Sequence, residues 1–383
     1  MKRSRTIDIF LLISVGVLIR FGLFKLLGEE INTFTRLFGT VSILVVGALV
    51  LKGCAEVIEE TTDILSRRTK LAGGFLQSIG TAFPDMAIGI VAALVSLQLR
   101  HTDYALAVSF AIIAAATTFG SNIYNIAHAA WCIFRQNLAN NLNRDVLMFP
   151  PFVKGGTVRP LKNHIAKPTS KEIDTSIDIL NALTIITAIV AISMVLFGKV
   201  ASPPEGMAGD LYQLIRPVGF VVFFLSALVV FYFRKTQRAI TSDEERVHEK
   251  MYYSGKSNLL ISSHLILSGV SILLAAESMV HAVQVFCEIT NLPTVVAGVF
   301  AGLIGCLGEM LVVHNYSISP KGRIADAIVG VGMDNIVTTI GASIVAIMGG
   351  IFLGGNALIL IFVIILALNT SLIWQISRLK NFL

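Results

Sequence analysis

Two carboxylates in apolar surroundings are the residues of this chain best suited to chemistry. Asp85 and Glu309 each lie near the middle of a long run of apolar and small residues, and neither run has a Lys or Arg in its interior. A carboxylate in a bilayer core is costly unless it is paired, hydrated or bound to a cation. The two acids therefore indicate a buried site that a cation or protons would complete.

Polar side chains in two further apolar segments could add oxygen ligands to such a site. In each segment they recur along one face of a helix, because their spacing follows the helical period. Hard cations such as Ca²⁺ take about 6–8 oxygen ligands. The alternative is that these side chains only hydrogen-bond between helices as packing contacts. They are Thr118, Ser121, Asn122 and Asn125 in the first segment, and Asp334, Asn335 and Thr338 in the second.

The composition places these residues in a membrane protein. The chain has 383 residues, of which 55% are hydrophobic and 14% charged, and its mean hydropathy is +0.78. Soluble domains carry about 25% charged residues, so an ordinary cytosolic enzyme, a disordered protein and a nucleic-acid binder are excluded. The cysteines have no metal-type spacing, and we interpret them as buried thiols; they are Cys54, Cys132, Cys287 and Cys306.

About ten segments are long enough to cross a bilayer, which needs about 20 mostly apolar residues. The fold class predicted from them is an all-α integral membrane protein. The spans are 7–27, 36–57, 72–97, 105–134, 178–199, 213–233, 257–279, 293–315, 325–349 and 356–378.

The loop charges predict the orientation of these spans. Every second connection is rich in Lys and Arg, most clearly the loops 137–176 and 235–256. Because basic residues collect in cytoplasmic loops, both termini are expected to be cytoplasmic, and the net charge of +6 needs no nucleic-acid partner. The default location is the cytoplasmic (inner) membrane, and the oligomeric state is left open.

An internal repeat relates the two halves of the chain. Residues 74–86 match 298–310 in their small apolar residues and mid-span acid, and 120–126 match 333–339 in their polar positions. Five crossings separate the copies, so the second copy is inverted, as in many secondary transporters with a midplane site. The sequence thus predicts two inverted five-helix repeats, which are 1–200 and 201–383.

Two motifs resemble a known family. GTAFPD at 80–85 and GSNIYNI at 120–126 resemble the first repeat of the cation/Ca²⁺ exchanger superfamily. The resemblance covers about 36–136 well and 257–349 weakly. It implies that the acid of each half binds the ions together with neighbouring polar residues. In the second repeat, an acid and a threonine stand at positions where the family's motif has polar residues. The implied ligands are Asp85, Thr81, Ser121, Asn125 and Glu309, with Asp334 and Thr338 in the second repeat.

The function expected from these features is antiport of Ca²⁺ or a similar cation against Na⁺ or H⁺, with no cofactor. The partners are the transported cations and the lipid bilayer. One alternative is an intramembrane enzyme that uses Asp85 and Glu309 as paired acids, and another is a cation channel. His128 lies one turn beyond Asn125; a packed neutral histidine is favoured there over a proton-coupling group.

Overall fold

The chain folds into a bundle of long α-helices. The computed structural model describes residues 5–69, 73–99, 101–142, 169–197, 208–240, 252–253, 255–317, 324–348 and 356–382. The helices are α1 (Arg5–Phe21), α2 (Thr33–Thr69), α3 (Gly73–Leu99), α4 (Tyr104–Leu142), α5 (Ser170–Phe197), α6 (Ala208–Ile240), α7 (Asn258–Thr290), α8 (Thr294–Gly305), α9 (Leu307–Ser317), α10 (Ile324–Met348) and α11 (Asn356–Leu379).

The helices confirm the predicted all-α membrane architecture. Among the described residues, nine helices are long and apolar enough to cross a membrane, and no strand occurs. The predicted span 293–315 corresponds to the pair α8 and α9, so each predicted span has its helix or helix pair. The protein is therefore an integral, multi-pass membrane protein.

The connections are shorter than the sequence predicts. Helix α4 continues to Leu142 and α5 starts at Ser170, within the predicted loop 137–176. Likewise α6 continues to Ile240, within the predicted loop 235–256. Their Lys and Arg residues place these segments outside the bilayer. A helix can continue into water, however, because it still satisfies its own backbone hydrogen bonds there. Of the remaining loop residues, 143–168, 241–251 and 254 lie outside the described part of the chain.

The two repeated helices that carry the acids differ in their backbone. Helix α3 continues through Pro84, although proline removes one backbone donor. The second copy is interrupted: α8 ends at Gly305, and the amide of Cys306 donates to the carbonyl of Gly302. Glu309 consequently lies in the first turn of α9. The irregularity predicted for both copies is a helix break only in the second.

Glycines let α4 and α8 pack backbone against backbone. A Cβ atom on Gly302 would lie 2.6 Å from the carbonyl oxygen of Thr117, and one on Gly120 would lie 2.9 Å from the Cα of Val299. Small residues at such contacts allow membrane helices to approach closely. The close approach fixes the polar face of α4 beside the α8–α9 break.

A buried amide ties the end of α4 to α11. The Nδ2 atom of Asn137 donates to the backbone carbonyl of Gln375 at 2.9 Å and to its Oε1 atom at 3.2 Å. Both side chains are buried. A buried polar group without a partner costs about 1–3 kcal/mol, so this pair contributes to the docking of α11.

We expect Asn137→Ala to lower the free energy of unfolding by about 1–3 kcal/mol, since it removes the hydrogen-bond donor to the buried Oε1 atom of Gln375. The measurement is the thermal unfolding midpoint of the purified protein in detergent. Asn141→Ala is the matched control, because Asn141 is exposed at the end of the same helix. Equal midpoints for the two variants would contradict the assignment.

Candidate cation site

Asp85 is fully buried in the middle of α3 and faces α4. Its Oδ2 atom lies 2.5 Å from the hydroxyl of Ser121, which also lies 2.8 Å from the carbonyl oxygen of Thr118. One hydroxyl proton can serve only one of these acceptors at a time. The Asp85 side chain is 0% exposed, so this hydroxyl supplies only part of what its carboxylate needs.

Glu309 is the counterpart of Asp85 in the other half of the chain. It is 2% exposed, and its Oε2 atom accepts a hydrogen bond from the Nδ2 atom of Asn125. Its position in the first turn of α9 places it where the helix dipole favours negative charge. Ser121 and Asn125, one turn apart on α4, therefore contact one acid each.

Several oxygen atoms at this point of the bundle have no hydrogen-bond partner among the described residues. Burying such atoms is costly unless something else satisfies them. Among the described residues, no basic side chain forms a salt bridge with Asp85 or Glu309. The salt bridges found there involve other acids. The atoms are Oδ1 of Asp85, Oε1 of Glu309, and Oδ1 of both Asn122 and Asn125.

Gly305 leaves room beside the Asp85 carboxylate. A Cβ atom on Gly305 would lie 2.8 Å from Oδ1 of Asp85 and 3.1 Å from its Cα. Real Cβ atoms are not found that close to other heavy atoms, so any larger residue at 305 would press on the carboxylate. The interrupted helix thus crosses α3 at the acid, and residue 305 has no side chain to press on the unpaired oxygen of Asp85.

Helix α10 adds two more of the predicted residues. Asp334 is buried close enough to Glu309 for a like-charge interaction, as is Asp85. The hydroxyl of Thr338 is buried and donates to the carbonyl of Asp334, 2.9 Å away in its own helix, which leaves its oxygen lone pairs available. Thr81 lies in α3, but its side chain is outside the described part of the structure. The structure therefore brings Asp85, Ser121, Asn125, Glu309 and Asp334 to one region.

Asn335 is in the polar stripe predicted from the sequence but not among the ligands implied by the resemblance, and the structure makes it a candidate ligand. It is fully buried, and neither its Oδ1 nor its Nδ2 atom has a hydrogen-bond partner among the described residues. Thr117 is a second such residue, with an unpartnered buried hydroxyl. Asn335 already belonged to the polar stripe of α10, so that stripe was the signal. Thr117 lies one position before the stripe of α4, and periodicity alone does not select it.

Comparisons with solved structures agree with the fold. The H⁺/Ca²⁺ exchanger CAX matches with a TM-score of 0.58 and 13% identity, over 98% of this chain and 81% of that chain. A structure of native YfkE matches with a TM-score of 0.56 and 14% identity, over 98% and 99%. The sodium-calcium exchanger NCX_Mj aligns over 90% of this chain with a TM-score of 0.43 and 12% identity. No protein-family model and no curated protein matches the sequence.

The bundle and its buried acids define a polytopic membrane protein with a candidate ion site at the centre of its helices. Its fold is similar to that of CAX and YfkE. Of these two neighbours, CAX is named as an H⁺/Ca²⁺ exchanger.

Proposed function

We propose that the protein is a secondary active antiporter that exchanges Ca²⁺ or a similar cation for H⁺ or Na⁺. One observation carries the proposal: two buried acids from the two halves of the chain lie together, each with an unpaired oxygen and without a basic partner among the described residues. An all-oxygen donor set of carboxylates, amides and hydroxyls suits a hard cation. The proposed ligands are Asp85, Glu309, Thr81, Ser121, Asn125, Asp334 and Thr338.

The pattern of helix packing supports two inverted repeats, 1–200 and 201–383. If α2, α3, α4 and α5 correspond to α7, α8–α9, α10 and α11, packing contacts should occur in exchanged pairs. Two such exchanged pairs occur. Helix α3 packs on α10, and the corresponding contact, of α8 and α9 with α4, is present. Helix α4 packs on α11, and the corresponding contact, of α10 with α5, is present too. Helices α1 and α6 depart from this pattern, because α1 packs on α7 whereas α6 packs on α10. Such repeats meet at the transport site of many secondary transporters.

The orientation follows from the basic connections. With both termini in the cytoplasm, α3 begins on the cytoplasmic side, and α4 and α9 end there. The candidate site then lies near the midplane. Residues of α4 and α9 that follow the site residues in the sequence then lie between the site and the cytoplasm. The cytoplasmic membrane is the proposed location.

Exchange follows from competition for the same oxygens. A carboxylate that holds Ca²⁺ cannot at the same time hold a proton or Na⁺, so one class of ion occupies the site at a time. Movement of one repeat against the other would open the occupied site to each side in turn. The site cannot change sides while it is empty, because two unneutralised carboxylates in the apolar bundle are too costly. The flux of one ion therefore drives the flux of the other. H⁺ is the first coupling ion to test, since CAX is an H⁺/Ca²⁺ exchanger.

The test is uptake of radioactive Ca²⁺ into vesicles that contain the purified protein, with an H⁺ or a Na⁺ gradient imposed in turn. The proposal expects uptake that depends on one of these outward gradients and stops when it is collapsed. A channel would conduct Ca²⁺ down its own gradient without any counter-ion. Uptake independent of both gradients would therefore overturn antiport, as would the absence of any uptake.

We expect Ser121→Ala to weaken the apparent Ca²⁺ affinity about tenfold, since a hydrogen bond to a charged group contributes about 1.5–3 kcal/mol. The measurement is the Ca²⁺ concentration for half-maximal uptake. Ser109→Ala on the same helix is the control, because the Ser109 hydroxyl donates to the carbonyl of Ala105 in its own helix. An unchanged affinity in Ser121→Ala would remove Ser121 from the site.

A further inference from the structure

Two histidines and a cysteine form a buried cluster next to the candidate cation site. His128 and Cys132 lie one turn apart on α4, and His314 lies on α9. All three are buried, and one ligand atom from each lies within 4.8 Å of the other two. On α4 the cluster begins one turn past Asn125, which places it about 5–10 Å further along the helix. It takes no part in the proposed exchange reaction.

The geometry points to a transition-metal site of the Zn²⁺ class, bound by His128, Cys132 and His314. The Sγ atom of Cys132 lies 3.6 Å from Nε2 of His128. With a Zn–N distance of about 2.0–2.1 Å and a Zn–S distance of about 2.3 Å, tetrahedral angles separate the two ligand atoms by about 3.6 Å. The ligand atom of His314 lies within 4.8 Å of the other two, so it needs to move inwards by no more than about 1 Å, which a small side-chain rotation supplies.

The surroundings of His128 suit a metal ligand. Its ring hydrogen-bonds to the backbone of Met310 on α9. Metal-bound histidines nearly always use their second ring nitrogen in this way, which fixes the ring and its tautomer. His314 stacks beside it, with 5.9 Å between the ring centroids and 28° between the planes. The two rings therefore come from different helices but are held side by side.

The donor set selects the metal. Imidazole and thiolate suit borderline-soft ions such as Zn²⁺, whereas Ca²⁺ prefers oxygen. Binding replaces the thiol proton of Cys132, which is released to water, and leaves one coordination position for a water molecule. A metal here would join α4 of one half to α9 of the other. This site is independent of the cation site, because it uses none of the same side chains.

The experiment is titration of the purified, chelator-treated full-length protein with Co²⁺, a spectroscopic substitute for Zn²⁺. We expect one Co²⁺ per chain, with a thiolate-to-cobalt charge-transfer band in the near ultraviolet that excess Zn²⁺ removes. His314→Ala should lower the affinity at least tenfold, and Cys132→Ser should abolish the band. Since the band requires a thiolate, Co²⁺ bound to carboxylates alone does not produce it.

Matched variants separate this site from its neighbours. Cys287→Ser replaces a buried thiol elsewhere in the bundle, and Cys306→Ser replaces the thiol near Glu309; both should keep the band. Glu309→Gln should also keep it, so failure of the proposed exchange function leaves this test intact. Absence of the band in the unaltered protein, its persistence in Cys132→Ser, or its loss in Cys306→Ser would overturn the proposal. Should Cys132→Ser not fold, His314→Ala on the other helix decides the outcome.

Discussion

Asp85→Asn and Glu309→Gln are each expected to reduce Ca²⁺ exchange at least about 100-fold while the protein still folds. Each change keeps the shape of the side chain and removes its charge. Loss of one charged ligand from a buried cation removes about 3 kcal/mol of binding, and the remaining acid cannot balance the ion alone. The amides also remove an energetic penalty from the empty bundle, so the thermal midpoint without Ca²⁺ should stay the same or rise.

The measurement is Ca²⁺ uptake into vesicles at equal protein content, with the thermal midpoint in detergent determined alongside. Asp103→Asn and Glu29→Gln make the same chemical changes at exposed positions and should keep full activity. Full exchange in Asp85→Asn or in Glu309→Gln would contradict the site assignment. A fall in uptake together with a collapsed midpoint would instead assign that acid to folding, which also contradicts its role as a ligand.

Gly302→Ala is expected to destabilise the bundle strongly, while Gly330→Ala is neutral or slightly stabilising. The added methyl at 302 would meet two backbone atoms of α4, 2.6 and 2.8 Å away, whereas no atom of the described residues lies within 4 Å of the corresponding position at 330. Backbone atoms cannot rotate aside, so α4 and α8 must separate, at a cost of about 3 kcal/mol or more. At 330 the substitution of glycine by alanine stabilises the helix by up to about 1 kcal/mol, because alanine has the higher helix propensity.

The measurement is the thermal midpoint of both variants in detergent, where we expect a difference on the order of 10 °C. Exchange should fall with Gly302→Ala even below its midpoint, because the helix separation displaces Ser121 from Asp85. A midpoint of Gly302→Ala equal to that of Gly330→Ala would show that α4 and α8 do not pack this closely.

Much of the fold could be predicted because the bilayer imposes a simple rule. Every crossing must satisfy its own backbone hydrogen bonds and present apolar side chains to lipid. The span that begins at 36 and the one that ends at 378 therefore followed from hydropathy alone. The helix ends did not: α4 continues to Leu142, because outside the bilayer polar residues are compatible with both helix and loop.

The acids of the site could also be predicted, because a lone Asp85 or Glu309 in an apolar run has few structural explanations. Sequence could not assign their partners. That Ser121 contacts one acid and Asn125 the other depends on how α4 lies against two different helices. The break at Cys306 depends on tertiary packing in the same way.

The cluster of His128, Cys132 and His314 could not be predicted from residue spacing for the same reason. His128 and Cys132 share a helix, but His314 is 182 residues beyond Cys132 and joins them only through the packing of α9 on α4. Cys132 was interpreted as an ordinary buried thiol because no metal-type spacing surrounds it in the sequence. Ligands from separate helices give no such spacing.

Direct Ca²⁺ binding by the purified protein is the most immediate test of the central claim, that Asp85 and Glu309 hold the transported cation. Equilibrium dialysis with radioactive Ca²⁺ should show one saturable site, which H⁺ or Na⁺ displaces competitively. The double variant with Asp85→Asn and Glu309→Gln should lose this site, while the Asp103→Asn control keeps it. Unchanged Ca²⁺ binding in the double variant would contradict the account.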